Sequence, residues 1–182
     1  DLYDATYSKL RRLHPVVDLG CGNGLLAQCL KSRGYCSTYL GVDFSPAAIA
    51  EAERMVAETN PKLYPEDQQL PLATYTFQTA DLREWQPTLV SDTHQTTFVL
   101  LEVLEHLDDD IALVSRLPAR ARVIISVPNF WASSHVRSYD RIGTVFDRFA
   151  HLLDWTSWEI VETGNPRGVV HLYDAHRKAD AW

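Results

Sequence analysis

Residues Val16-Val17-Asp18-Leu19-Gly20-Cys21-Gly22-Asn23-Gly24 form an apolar, β-branched run closed by an acid, then three glycines at alternate positions. The pattern reads as a buried strand, a tight turn and a helix start, with glycines that let a ligand lie against bare backbone. A nicotinamide-type turn has the spacing G-x-G-x-x-G. Here position 25 is Leu25, and the third glycine comes one residue early. Three acids then follow three apolar runs: Asp43, Asp81 and Glu102. In a doubly wound sheet, ligands sit beyond the carboxyl ends of the strands. Asp43 stands about where a carboxylate accepts hydrogen bonds from both hydroxyls of a ribose. Asp81 is placed to accept from the exocyclic amine of an adenine. A single acid after a strand also caps helices, but three at successive strand ends beside a glycine turn point to a cofactor.

Glu102, Glu105 and His106 stand at i, i+3 and i+4, so on a helical turn they face one side. Two carboxylates and an imidazole suit Mg²⁺, Mn²⁺ or another divalent ion, which lowers the pKa of a substrate hydroxyl. His151 lies beyond the fifth strand, in a stretch able to fold over the pocket, and is the candidate fourth ligand. Without a metal, His106 serves as a general base, since an ordinary imidazole titrates near ~6.5. The plain alternative is that Glu105 and His106 order a loop and His151 lies on a helix surface. Past the fifth strand, Asn129 offers hydrogen bonds, Phe130 and Trp131 offer a wall or stacking surface, and Arg137, Arg141 and Arg148 offer partners for a carboxylate or phosphate. A lid with packed aromatics and solvated arginines explains that segment equally well.

The positioning elements alternate. Leu2–Leu13 suits a short amphipathic helix, Pro15–Leu19 a strand, Leu25–Ser32 a helix stopped by Gly34, and Thr38–Asp43 a second strand. Ser45-Pro46 reads as cap and first-turn proline of a helix over Ala47–Thr59. Asn60–Pro71 reads as loop, Tyr75–Thr79 as a short strand, and Thr96–Leu101 and Val123–Val127 as fully buried strands, with a short helix or a loop with one helical turn near Val103–Asp108 and a helix over Ile111–Leu117. Phe130 to Asp154 is irregular or helical. Glu159–Thr163 and Val169–Tyr173, joined through Gly164-Asn165-Pro166, suit an antiparallel hairpin. Continuous apolar strands separated by helices predict an α/β fold with a mostly parallel sheet covered on both faces. Trp155, Trp158 and Trp182 read as packing residues.

At 182 residues the chain has the length of a single domain, 1–182, with a real core. No apolar run approaches the ~18–20 residues that cross a bilayer, and the first residues lack the plan of a signal peptide. Cys21, Cys29 and Cys36 form no C-x-x-C pair and read as reduced thiols, which predicts a cytoplasmic protein. A net charge of −7 argues against a strong nucleic-acid footprint.

Val16–Gly24, Gly41-Val42-Asp43-Phe44-Ser45, Ala80-Asp81-Leu82 and Leu101–His106 together resemble the class I S-adenosylmethionine (SAM)-dependent methyltransferases, most closely the group with the ubiquinone-biosynthesis O-methyltransferases. The resemblance spans Pro15 to Asn129 and is looser to the end. It implies a Rossmann-like fold whose seven-stranded sheet runs 3-2-1-4-5-7-6 with strand seven antiparallel. By the same likeness Gly20 and Gly22 approach the methionine part of SAM, Asp43 holds the ribose, and Asp81 with Leu82 reads the adenine. Asp18, Gly24, Phe44 and Glu102 complete the cofactor set. The expected reaction is methyl transfer to a small or medium-sized acceptor, with oxygen favoured over nitrogen. The E-x-x-E-H pattern with a distant histidine also resembles the small-RNA 2′-O-methyltransferases, which implies metal ligation by Glu102, Glu105, His106 and His151 and an RNA acceptor. A non-catalytic SAM-binding partner subunit is a further alternative. Oligomeric state is not legible.

Overall fold

The computed structural model describes residues 1–64, 73–87 and 95–179. Their strands are β1 (Val16–Leu19), β2 (Tyr39–Asp43), β3 (Tyr75–Thr79), β4 (Thr97–Leu101), β5 (Arg122–Pro128), β6 (Leu153–Val161) and β7 (Val170–Arg177). They form one sheet in the order β3-β2-β1-β4-β5-β7-β6, parallel from β3 to β5, with β7 antiparallel to both β5 and β6. The helices are α1 (Leu2–Lys9), α2 (Leu25–Ser32), α3 (Pro46–Glu58), α4 (Asp110–Arg116) and α5 (Ile142–Phe149). The expected Rossmann-like sheet is therefore present, strand for strand.

Alternate side chains of each strand leave on opposite faces, and both faces are dry. Val123, Ile125 and Val127 of β5 join Val17, Phe98 and Leu100 in a core closed by Leu113 and Val114 of α4 and Val145 and Phe149 of α5. Ile124, with Val16, Tyr39 and Val99, packs on the other side against Leu26, Ala27 and Leu30 of α2 and Val56 of α3. Because both faces are covered, the central strands are apolar without a break. Truncating a fully buried residue such as Leu30 or Phe98 to alanine costs roughly 2–5 kcal/mol.

Local chemistry sets the element ends. Ser45 accepts from the Ala48 N–H at 3.2 Å and Pro46 opens α3, as its sequence predicts. Gly24 precedes α2 in the left-handed region, φ 79°, and a Cβ there meets the Cβ of Ala52 at 2.7 Å, so α2 and α3 cross close together at this point.

Two expectations shift. The first helix stops at Lys9, with Leu10 extended. Of the two readings of Val103–Asp108 the loop with one helical turn holds, as a 3-10 turn at Leu104–His106. β6 starts at Leu153, six residues before its expected start, and takes Trp155 and Trp158 into the sheet, while β7 continues to Arg177. Among the described residues β6 pairs only with β7 and leaves Trp158 and Ile160 exposed, so its outer face lacks the polar alternation that marks a strand. The later part of the expected Asn60–Pro71 loop, and Trp182, lie outside the described residues. Among the described residues no helix is long and apolar enough to cross a membrane.

Candidate functional site

The carboxyl ends of β1 to β4 open on one cleft of about 610 Å³, lined by Gly20, Asp43, Phe44, Asp81, Leu82, Glu102, Val103 and His106 among others. The glycine turn forms one wall. Gly20 sits at φ 79° with its N–H on the Val42 carbonyl at 2.7 Å. A Cβ at Gly20 comes within 2.5 Å of Val103 Cγ2, on the opposite side of the turn. Gly20→Ala therefore combines left-handed strain of about 1 kcal/mol or more with a clash against the loop after β4. We expect a lower melting temperature together with a narrowed cleft and weaker cofactor binding, read by thermal melts and calorimetric titration. Val103→Ala in the same chain should recover part of both.

Asp43 bridges the turn to α3. Its Oδ2 accepts from the Gly22 N–H at 3.0 Å and its Oδ1 from the Ser45 N–H at 2.9 Å. Each carboxylate oxygen keeps a second lone pair, and the residue faces the cleft. Phe44, next in sequence, is 76% exposed at the rim, an apolar plate without cover among the described residues. Asp81 pairs with its neighbour Arg83, whose hydrogen bonds hold the carboxyl down at about 2. Both groups are solvent-exposed, and such a pair is weak enough for a better-placed donor to displace.

Asp18, Gly22 and Gly24 support the turn from behind and do not line the cleft. Asp18 is buried under the turn and accepts from the Tyr39 hydroxyl at 2.6 Å; burial pushes its carboxyl up to about 7 against that hydrogen bond. Gly22 gives its N–H to Asp43, and Gly24 gives α2 its close approach to α3.

Glu102 does not share a helical face with Glu105 and His106. It adopts φ 57°, which turns the chain out of β4, and its Oε1 accepts from the Ser126 hydroxyl at 2.8 Å. Burial pushes the Glu102 carboxyl up to about 7. Glu105 is 1% exposed, neither of its carboxylate oxygens has a hydrogen-bond partner, and burial followed by the charge of Glu102 pushes it up to about 8. His106 reaches the cleft. Its Nδ1 lies 3.0 Å from the Ser134 carbonyl, which only accepts, so Nδ1 carries the proton and Nε2 keeps its lone pair.

His151 does not join these groups. It follows α5 at the opposite edge of the sheet, where the Lys178 N–H donates to the Leu152 carbonyl and Leu153 pairs with Arg177. The seven residues of β5, roughly 20 Å of extended chain, separate that edge from the cleft. His135 lies where the fourth ligand was expected. It is buried, its ring stands edge-on to His106 at 4.9 Å between centroids, and one ligand atom each from Glu105, His106 and His135 lie within 4.8 Å of one another. Sequence reasoning passed over His135 because it sits in irregular chain, 29 positions from His106.

Two of the three arginines expected to meet a substrate, Arg137 and Arg148, are spent internally. Asp110 is fully buried and accepts from Arg148 Nε at 2.7 Å, Arg148 Nη2 at 2.6 Å and the Tyr139 hydroxyl at 2.8 Å, with Arg137 Nη1 at 3.1 Å. Arg137 also donates to the carbonyls of Leu104, Leu107 and Asp108. Asn129 accepts from the Val169 N–H at 2.8 Å and so holds the β6–β7 hairpin. Arg141 is exposed, as the lid reading expects, but so is Trp131, which that reading expects to be packed.

A family described as a methyltransferase domain matches residues 2–179. A trans-aconitate 2-methyltransferase of Mycobacterium marinum is 30% identical over 178 residues, covering 94% of this chain and 59% of its own. The chain spans about half the length of the curated relatives it matches. A SAM-dependent methyltransferase of Methanosarcina mazei superposes with a TM-score of 0.68 at 16% identity, covering 99% of this chain and all of its own. The small RNA methyltransferase HEN1 also reaches 0.68, at 19% identity, over 99% of this chain and 26% of its own. At these identities the two superpositions speak for the fold alone.

Proposed function

The chain belongs to the methyltransferase-domain family, and we propose that its cleft binds SAM and delivers the methyl group to an oxygen of a small or medium-sized acceptor docked beside His106. The observation that carries this reading is the convergence, in one cleft, of a bare glycine turn, Asp43, Asp81 and His106. The residues present fit the cofactor. Asp43 keeps a lone pair on each oxygen for a ribose diol, Phe44 and Leu82 offer apolar surface for a purine, and Asp81 offers an acceptor for its amine. When bound, SAM supplies a methyl group already activated by its sulfonium charge.

What remains for the protein is alignment and a proton. His106 carries out the second part: the Ser134 carbonyl fixes its tautomer and leaves Nε2 free to take the proton of an acceptor hydroxyl. Glu102 and Glu105 line or underlie this end of the cleft, while Arg137 and Arg148 are bound to Asp110. This balance supports a neutral hydroxylic acceptor over a multiply charged anion. It separates the expected acceptor from trans-aconitate, the compound in the relatives' names. RNA is disfavoured by the net charge of −7 and by the position of His151.

The test is turnover of SAM against a panel of phenolic, alcoholic and carboxylic acceptors. His106→Ala is expected to lower kcat by about 10²–10⁴-fold while SAM affinity stays near that of the parent chain. Failure of every acceptor despite tight SAM binding would favour the partner-subunit alternative. Unchanged kcat in His106→Ala would remove the base from the mechanism.

A further inference from the structure

We infer that Glu105, His106 and His135 form a divalent transition-metal site, assembled from the turn after β4 and the loop after β5. Glu105 supplies the first reason. A carboxylate that is 1% exposed with neither oxygen hydrogen-bonded is rare in folded proteins. Among the described residues no hydrogen-bond donor reaches either oxygen, whereas the imidazoles of His106 and His135 each bring a ring nitrogen within 4.8 Å of this carboxylate. His106 Nε2 carries its lone pair toward that carboxylate, 3.9 Å from Glu105 Oε1. In the Ser134 carbonyl this ring already has the outer hydrogen bond that fixes the tautomer of a ligating histidine. His135 closes the third side from a buried position; its Nδ1 accepts from the Ala132 N–H at 3.3 Å, a long contact that ligation of the ring gives up.

The scaffold holds these two segments in register without help from a ligand. The Val136 N–H donates to the Glu105 carbonyl at 2.8 Å, and Arg137 ties the carbonyls of Leu104 and Asp108 to the chain that carries His135. The donor atoms lie within 4.8 Å of one another. Around a bound ion at ~2.0–2.2 Å from each ligand they draw together to roughly 3.4 Å, which side-chain rotation supplies. Two imidazoles and one carboxylate select Mn²⁺, Fe²⁺, Co²⁺ or Zn²⁺ over the harder Mg²⁺ and Ca²⁺, which prefer all-oxygen shells. Three protein ligands leave positions open, and His106 lies at the cleft, so an acceptor oxygen can complete the shell.

The inference rests on the proposed methyl-transfer site and changes one role in it: with the ion bound, His106 Nε2 is a ligand, and the ion in place of His106 lowers the pKa of the acceptor hydroxyl; its test does not depend on turnover. Co²⁺ is titrated into the metal-stripped 182-residue chain, with the heat of binding and the visible absorption of the bound ion as readouts, and SAM binding is measured on the same samples. The expected result is one Co²⁺ per chain with a ligand-field spectrum. His135→Gln and Glu105→Gln should weaken it at least 10–100-fold, His151→Ala should leave it unchanged, and His135→Gln should bind SAM as the parent does. Absence of stoichiometric Co²⁺ binding, or equal affinity in His135→Gln, overturns the site. Loss of SAM binding alone leaves the metal site standing and counts against the methyl-transfer reading.

Discussion

Asp110→Ala is expected to destabilise the chain by about 3–5 kcal/mol, the range for removing one partner of a buried ion pair. For a domain of this size that corresponds to a fall in melting temperature of roughly 6–20 °C. Asp110 is fully buried and carries four side-chain donors, two from Arg148 and one each from Tyr139 and Arg137. Alanine leaves two partly buried guanidinium groups without their shared anion. The cost is therefore mostly that of the orphaned charges, since replacing an entire buried ion pair with apolar groups is often nearly neutral. A thermal melt of Asp110→Ala beside Asp110→Asn checks this. Asparagine keeps the shape and one acceptor, so it should fall between the alanine variant and the parent. A drop of less than about 2 °C in the alanine variant means the cluster is better solvated than its burial indicates.

The same cluster bears on function. Arg137 reaches from Asp110 to the backbone of the turn that presents His106, while the chain on its other side carries His135. Arg137 thus acts as a positioning residue for both imidazoles. Its removal should lower metal affinity and kcat before it lowers SAM affinity, since Asp43 and the glycine turn are held by other bonds.

How much of this was legible beforehand varied with the physics involved. The central strands announce themselves because both sheet faces are covered, which makes Val123–Val127 and Thr97–Leu101 apolar at nearly every position. The glycine turn and the acids at the strand ends were readable because backbone geometry restricts which residues serve there; Gly20 at φ 79° against Val103 is the clearest case. β6 was missed over its first two-thirds because an edge strand with Trp158 and Ile160 facing solvent carries no burial pattern. His151 was misassigned for a topological reason. Residue order shows that it follows β5, but α5 carries the chain back across the sheet before His151 is reached. The substrate role offered to Arg137 and Arg148 failed because a buried acid 27 and 38 positions earlier claims both, and sequence gives no measure of such distant pairing. The helical spacing of Glu102, Glu105 and His106 was real but irrelevant, since the left-handed backbone at Glu102 turns its side chain to Ser126.

Asp43→Ala is expected to abolish measurable SAM binding. The carboxylate has two duties, and the variant loses both. Toward the ligand, each charge-assisted hydrogen bond to a ribose hydroxyl contributes about 1.5–3 kcal/mol, so losing two weakens affinity by roughly 10²–10⁴-fold. Toward the fold, the N–H groups of Gly22 and Ser45 lose their acceptor, which loosens the turn that receives the rest of the cofactor. Asp43→Asn separates these duties. Its amide oxygen still accepts one of the two N–H groups, but its NH₂ cannot accept from a hydroxyl. It should melt close to the parent chain yet bind SAM about 10–100-fold more weakly. Calorimetric titration of SAM into the three proteins, beside their melts, decides the matter. Binding by Asp43→Ala within a few-fold of the parent would mean that the ribose lies elsewhere in the cleft. Equal weakening in alanine and asparagine variants, with equal melting temperatures, would assign the whole effect to the ligand and none to the turn.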